Sequence, residues 1–187
     1  MTIFYTADPH FGHNNIRALS KRPFATVEEM DKVLIENWNR KVGKDDIVYI
    51  LGDFSYKGGD PTRYLKQLNG KKYLITGNHD TSLLKHPQFK DYFVEARDMK
   101  KINDYGVEVF MCHYPMVEWP GYYKGAIHLF GHVHNTLHNP NTEYAMNMKN
   151  AYNVGVDITG FEPRTLKEIL ENYELWKEQL NRNAIND

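Results

Sequence analysis

The sequence predicts an α/β layered domain, on three observations. Six short apolar runs have the length of buried strands and stop at polar or glycine residues: Ile3–Thr6, Ile47–Leu51, Tyr73–Thr76, Val107–Cys112, Ile127–Phe130 and Tyr152–Val156. Helical patterns with recognisable ends lie between and after them. Strands and helices mix along the whole chain, with no repeat, low-complexity tract or linker to divide it. At 187 residues it suits one domain, 1–187, and is too short for two comfortable ones.

The elements follow in order. Ile3–Thr6 stands at the very start, so no leader is expected ahead of it. Thr26-Val27-Glu28-Glu29 reads as a capping box, its hydroxyl and carboxylate placed to satisfy reciprocal backbone amides. Met30, Leu34, Trp38 and Val42 then recur at helical spacing and would face the core. Asp60-Pro61 opens a short helix ending near Gly70, with an acid at the cap, proline at the first helical position and glycine past the end. Pro163 starts a long terminal helix with Leu166, Ile169, Leu170, Tyr173, Trp176 and Leu180 on one stripe, frayed after Arg182.

Composition narrows the class. With 23 Lys and Arg against 24 Asp and Glu, the chain is not a generally basic, nucleic-acid-coating protein, although a local basic patch stays open. A single cysteine, Cys112, excludes an internal disulfide framework and fits a reducing compartment. Inside an apolar run, it reads as a buried small hydrophobe rather than a nucleophile. The longest apolar stretch, Ile47–Leu51, falls far short of the roughly 20 residues that span a bilayer. No membrane partner is expected, and the cytoplasm is the default location.

The chemistry lies in where the polar clusters fall. Asp8-Pro9-His10 follows the first run, Gly52-Asp53 the second and Gly77-Asn78-His79-Asp80 the third. His113 ends the fourth, and Gly131-His132-Val133-His134 follows the fifth. Five predicted strands thus deliver Asp, His or Asn at their carboxyl ends, the edge where ligands gather in α/β sheets. Asp8, Asp53, Asn78, His10, His113, His132 and His134 make seven donors, too many for one zinc, which takes four. They suit two divalent ions sharing one bridging carboxylate. A mixed nitrogen and oxygen set without thiolate favours manganese, with iron, zinc or nickel as alternatives. Two such ions against two carboxylates leave about two positive charges, an attractive field for a phosphate. Ions roughly 3.5–4 Å apart can clamp both the attacking and the leaving oxygens of an in-line displacement.

Asp8-x-His10, Gly52-Asp53, Gly77-Asn78-His79-Asp80, His113 and Gly131-His132-x-His134 resemble, in order, the five blocks of the calcineurin-like metallophosphoesterase superfamily. The resemblance implies a β-sandwich flanked by helices, a four-layer αββα arrangement. It also implies that Asp8, His10, Asp53 and His134 hold one ion and Asp53, Asn78, His113 and His132 the other, with Asp53 bridging. Asp8-Pro9-His10-Phe11-Gly12-His13-x-Asn15, Arg22-Pro23-Phe24 and His113-Tyr114-Pro115 are similar to the small bacterial and phage phosphoesterases of the superfamily. The second block departs from the phosphoprotein phosphatases. It continues Phe54-Ser55-Tyr56-Lys57-Gly58, without their Asp and phosphate-clamping Arg, which speaks against protein phosphatase activity.

By the same resemblance His79 is the general acid that protonates the leaving oxygen, with Asp80 steering its ring. The structural alternative is a helix start, with Asp80 capping Thr81 to His86. His13, Arg17 and Arg22 follow the first block closely enough to reach a phosphate, yet the arginines equally suit solvated faces. Trp119, in the aromatic loop 115–123, either stacks on a base or packs the loop onto the sheet. His86, His128 and His138 have no motif context. The implied activity is hydrolysis of a small phosphomonoester or phosphodiester, nucleotide-like, by hydroxide held between the two ions. The alternatives are a nuclease on short nucleic acids, with nucleic acid only as substrate, and a non-catalytic scaffold. An intact His79 and a full ligand set count against the last.

Overall fold

A strand that is apolar on both faces must be covered on both, and the computed structural model, which describes residues 1–56, 59–136 and 139–185, shows what covers them. His138 and the last two residues of the tail lie outside the described residues. One sheet has five strands in the order β4-β3-β2-β1-β9. Here β1 (Ile3–Thr6), β2 (Ile47–Ile50), β3 (Lys71–Ile75) and β4 (Phe93–Arg97) run parallel, and β9 (Arg164–Thr165) pairs antiparallel with β1. The second sheet has four, in the order β5 (Met99–Asp104), β6 (Val107–Cys112), β7 (Ile127–Phe130) and β8 (Ala151–Asn153). Its β5 and β6 form an antiparallel hairpin, while β6, β7 and β8 run parallel.

Alternation along each strand distributes its side chains between two cores. Tyr5, Tyr49, Val109, Met111 and Leu129 meet between the sheets. Phe4, Val48, Ile50 and Leu74 point the other way, onto Met30, Leu34 and Trp38 of the helix Val27–Lys41. On the far side Phe110, Cys112 and Phe130 pack against Trp119 and Ala145, the latter from the helix Pro140–Met146. The result is helices, sheet, sheet, helices: the expected αββα sandwich. The terminal helix Leu166–Ile185 sends Leu166 and Ile169 into the inter-sheet core and Tyr173 against Met146 and Ile158. Among the described residues no helix is long and apolar enough to cross a membrane.

Several expectations need correction. Strands β4, β5 and β9 were not legible, because β4 and β5 are outermost strands with one buried residue each and the rest exposed or half-buried, while β9 is two residues long. Those two residues also delay the terminal helix to Leu166, since Arg164 and Thr165 pair with Tyr5 and Phe4. Its backbone continues past Arg182 to Ile185, and Leu170 lies exposed. The helix after Asp60-Pro61 is only Thr62–Leu65, its first turn held by the Asp60 carboxylate on the Thr62 amide and hydroxyl. The capping box is shifted by one residue: Thr26 Oγ1 accepts the Glu29 amide, but the Glu29 carboxylate accepts from Ala25.

Trp119 is core. Its ring lies 5.1 Å from His128 and 4.8 Å from Tyr122, and its indole N–H donates to the Ala126 carbonyl at 2.9 Å. His128, fully buried, accepts the Met116 amide at Nε2, so the loop is fastened at two points. A ring so enclosed has no face left for a substrate base. Trp119→Ala should therefore destabilise the fold by about 3–5 kcal/mol, measured as a lower denaturant midpoint at unchanged slope.

Candidate metal centre

The parallel strands of both sheets end on the same side, and the ends of β1 and β8 stitch the sheets together there. Ala7 donates to the Val154 carbonyl and accepts from the Val156 amide, both at 3.0 Å. Everything expected to bind an ion hangs from this edge. Of the described non-glycine residues with positive φ, five are Asp8, His10, Asp53, His132 and His134. Asp and His tolerate the left-handed region better than most residues, but it still costs energy and is held only where the surroundings over-determine it.

Close backbone contact supplies part of that determination. Gly52, at φ +87°, lies where a Cβ would come within 2.3 Å of His113 Nδ1 and 2.8 Å of Gly77 Cα. A Cβ on Gly77 would fall 2.4 Å from Asp53 Oδ1. The two glycines of the second and third motifs therefore let their loops touch, which brings Asp53 and Asn78 together. Asp80 locks the same junction. Its buried carboxylate accepts the amides of Asp53 (2.9 Å), Phe54 (3.0 Å) and Gly77 (2.8 Å). Burial pushes Asp80 up to about 6 despite those donors. It neither steers the ring of His79 nor caps the helix Thr81–Leu84, so both expectations for it are corrected: it is a loop fastener.

The ligand candidates converge, and two of them bring a buried atom with no hydrogen-bond partner. Asp8 Oδ2 accepts the His132 amide at 3.0 Å, while Oδ1 is buried without a partner among the described residues. Asp53 Oδ1 accepts the His79 amide at 2.9 Å, while Oδ2 lies 3.6 Å from both His10 Nε2 and His113 Nε2. His10 Nε2 is likewise buried and unpartnered. His113 has its Nδ1 at 2.7 Å from the Leu51 carbonyl, which can only accept, so the neutral ring presents a lone pair at Nε2. That lone pair faces Asn78 Oδ1 at 3.1 Å, and His132 Nδ1 lies at the same distance from that oxygen. Acceptors turned toward one another are costly when buried, unless a cation sits among them.

Two three-residue groups, Asp8 with His10 and His134, and Asp8 with Asp53 and His113, have ligand atoms within 4.8 Å of one another. The donor set is therefore compatible with divalent cations, and the electrostatics agree. Burial raises the Asp8 carboxyl, which favours either a proton or a cation there. Burial, then His134 and Arg22, hold His10 far below the usual histidine range, leaving it a neutral donor of electron pairs.

Asp157 was missed. It follows β8 as Asp8 and Asp53 follow β1 and β2, and its place just after the sixth apolar run was the available signal. Its Oδ2 lies 2.8 Å from His134 Nδ1, fixing the tautomer that leaves His134 Nε2 free. Burial lowers His134, but the Asp157 hydrogen bond and the charges of Asp8 and Asp157 outweigh it and hold the imidazole above its ordinary value. Asp157 also pairs with Arg22, Nε to Oδ1 at 2.7 Å and Nη2 to Oδ2 at 3.1 Å. Arg22 is only 4% exposed, and its guanidinium further donates to the carbonyls of Asp8 and Pro9, both at 2.8 Å. It faces inward and cannot meet a substrate as expected. Arg17 ties down the Phe24 and Ala25 carbonyls.

His13 and His79 do reach the cluster. The His13 ring lies 5.4 Å from that of His10 and stacks on Tyr56 at 4.4 Å. Its loop is anchored by Asp31, which accepts the Gly12 amide at 3.0 Å. The His79 side chain is 39% exposed, with Nε2 3.9 Å from Asp53 Oδ2.

A family model described as calcineurin-like phosphoesterase matches residues 1–185. The chain is 33% identical over 178 residues to an uncharacterized protein of Methanocaldococcus jannaschii, covering 94% of this chain and 93% of that one. It is 31% identical over 164 residues to the gene 66 protein of Mycobacterium phage D29, covering 72% and 79%. The solved structure of a protein of unknown function from Aquifex aeolicus superposes with a TM-score of 0.71 at 25% identity, covering 90% of this chain and 97% of that one.

Asp157→Asn should weaken ion binding by about 10–100-fold, the usual effect of losing a carboxylate behind a histidine ligand; competition with a chelator measures it, and unchanged affinity would leave Asp157 a purely structural residue. Because burial raises the Asp8 carboxyl and a protonated carboxyl cannot hold a cation, affinity should also fall as pH is lowered, visible in the same titration.

Proposed function

We infer the activity from a plain premise: the chain belongs to the calcineurin-like phosphoesterase family. It is a metal-dependent hydrolase that cleaves phosphoester bonds of a small, nucleotide-like substrate. Asp8, His10, Asp53 and His134 would hold one divalent ion and Asp53, Asn78, His113 and His132 the other, manganese in the first instance. The observation that carries this reading is the set of buried, unpartnered acceptors, Asp8 Oδ1 and His10 Nε2, beside the Asp53 oxygen that faces His10 and His113 alike. When bound, such ions draw in the phosphoryl oxygens and lower the pKa of water.

The chain's own residues do the rest. His79 stands at the open side of the cluster with its ring half in solvent, its backbone fixed to Asp53 and its Nε2 turned toward the site. A proton held at His79 Nε2 is in place to pass to a departing oxygen. His13 sits beside His10 on the same open side, where its ring can donate to a phosphoryl oxygen. The buried frame of Asp80, Arg22 and Asp157 keeps these groups from relaxing when the substrate arrives.

Metal analysis should give two ions per chain, with turnover of a chromogenic phosphoester lost on chelation and restored best by Mn²⁺. Asp53→Asn should be the most damaging ligand substitution, since it weakens both sites at once; one ion per active chain would refute the dinuclear reading. His79→Asn should leave metal content nearly intact but cut kcat by about 10²–10⁴ for esters of poor leaving groups. With nitrophenolate, which needs little protonation, the loss should shrink, and an equal loss for both kinds of ester would make His79 a phosphate binder instead.

A further inference from the structure

With Trp119 in the core, the exposed aromatic rings beside the metal centre are elsewhere. Tyr56 is 49% exposed and lies nearly parallel to His13, at 4.4 Å and 18°. His13 in turn adjoins His10, in the half of the cluster that holds Asp8 and His134. Tyr114 is 45% exposed and stands edge-on to His132 at 4.6 Å and to His113 at 5.1 Å, in the other half. Asp53 links the halves, 3.6 Å from His10 on one side and from His113 on the other. By neighbouring contacts the chain of groups runs Tyr56, His13, His10, Asp53, His113, Tyr114. Each half of the cluster carries one half-exposed phenol at its outer end.

Neither ring is needed by the core. Tyr56 stays half exposed although His13 covers one face of its ring, and two stacked rings make a flat platform. Tyr114 follows directly on His113, and His113 is fastened through Nδ1 to Leu51, so the tyrosine cannot wander far from the site. A phosphate monoester has a substituent on one side of phosphorus only and would leave one ring idle. A diester has two.

We propose that Tyr56 and Tyr114 bracket the cluster as a pair of stacking platforms and make the enzyme selective for phosphodiesters with an aromatic base on each side of phosphorus, of the dinucleoside monophosphate type. This assignment rests on the hydrolase reading above and adds the substrate class and the residues that select it. Every base has a π face, so the platforms select for the presence of two rings rather than for their sequence.

The test uses full-length enzyme loaded with Mn²⁺. Turnover of methyl nitrophenyl phosphate, itself a diester, is measured first; its absence would defeat the hydrolase reading and this proposal with it. Two diesters sharing the same scissile bond type are then compared: a dinucleoside monophosphate and the methyl ester of a nucleoside phosphate. The two-base diester should show a KM lower by about tenfold or more. Tyr56→Leu and Tyr114→Leu should each raise its KM by about tenfold while kcat and metal content hold. Tyr56→Phe and Tyr114→Phe should preserve the low KM, because the ring and not the hydroxyl does the stacking. Equal KM for the two diesters in the wild type, a loss in the Leu variants that falls alike on every substrate, or failure of the Phe variants to retain the low KM would each overturn the proposal.

Discussion

The buried ion pair between Arg22 and Asp157 is the contact on which the candidate metal centre rests. It joins a loop near the start of the chain to the turn after β8, the last strand of the second sheet. One guanidinium holds the Asp8 and Pro9 carbonyls and both oxygens of Asp157. Asp157 then orients His134. Opposite charges this deep in a protein are tolerated only when each is fully paired, and removal of either partner from such a pair typically costs about 3–5 kcal/mol. The cluster is thus coupled to the integrity of the fold: the pair that fixes two of its candidate ligands also fastens the first sheet's loop to the second sheet.

The left-handed backbone at Asp8, His10, Asp53, His132 and His134 belongs to the same logic. Each such residue stores strain of order 1–3 kcal/mol, which a flexible loop would release by rotating its side chain out of the cluster. Arg22 prevents this at Asp8, Asp80 at Asp53, and the bond from the His132 amide to the Asp8 carboxylate at His132. Buried acceptors left facing one another are the other half of the balance, since a cation that enters the cluster relieves them. A cluster built this way would meet a cation already in shape and gain little from loop motion.

The two sheets divide the labour. The first contributes Asp8, His10, Asp53, Asn78 and His79 from the ends of three parallel strands, and the second contributes His113, His132 and His134. The parallel strands of both sheets bring their carboxyl ends to one edge, so residues from two sheets meet there. The stitch between Ala7 and the residues flanking Gly155 keeps that edge from opening.

Much of this was legible in the chain. Apolar runs covered on two faces, such as Ile47–Leu51 and Val107–Cys112, advertise themselves, and their polar ends identified the candidate ligands. The helix that begins after Thr26 announced its cap, its apolar stripe and its inward face. Edge strands β4 and β5 did not, because half of each strand's side chains face water and the pattern dilutes. Side-chain direction was the larger gap. Arg22 and Trp119 have the chemistry of substrate contacts, and nothing local distinguishes an arginine that faces a phosphate from one that faces a buried aspartate 135 residues away. The sequence by itself determined which residues stand at the strand ends, since that follows from local periodicity and turn chemistry. Only the tertiary structure decided which of them face the cluster, which hold it from behind and which lie in the core, because burial and pairing depend on what the rest of the chain brings alongside.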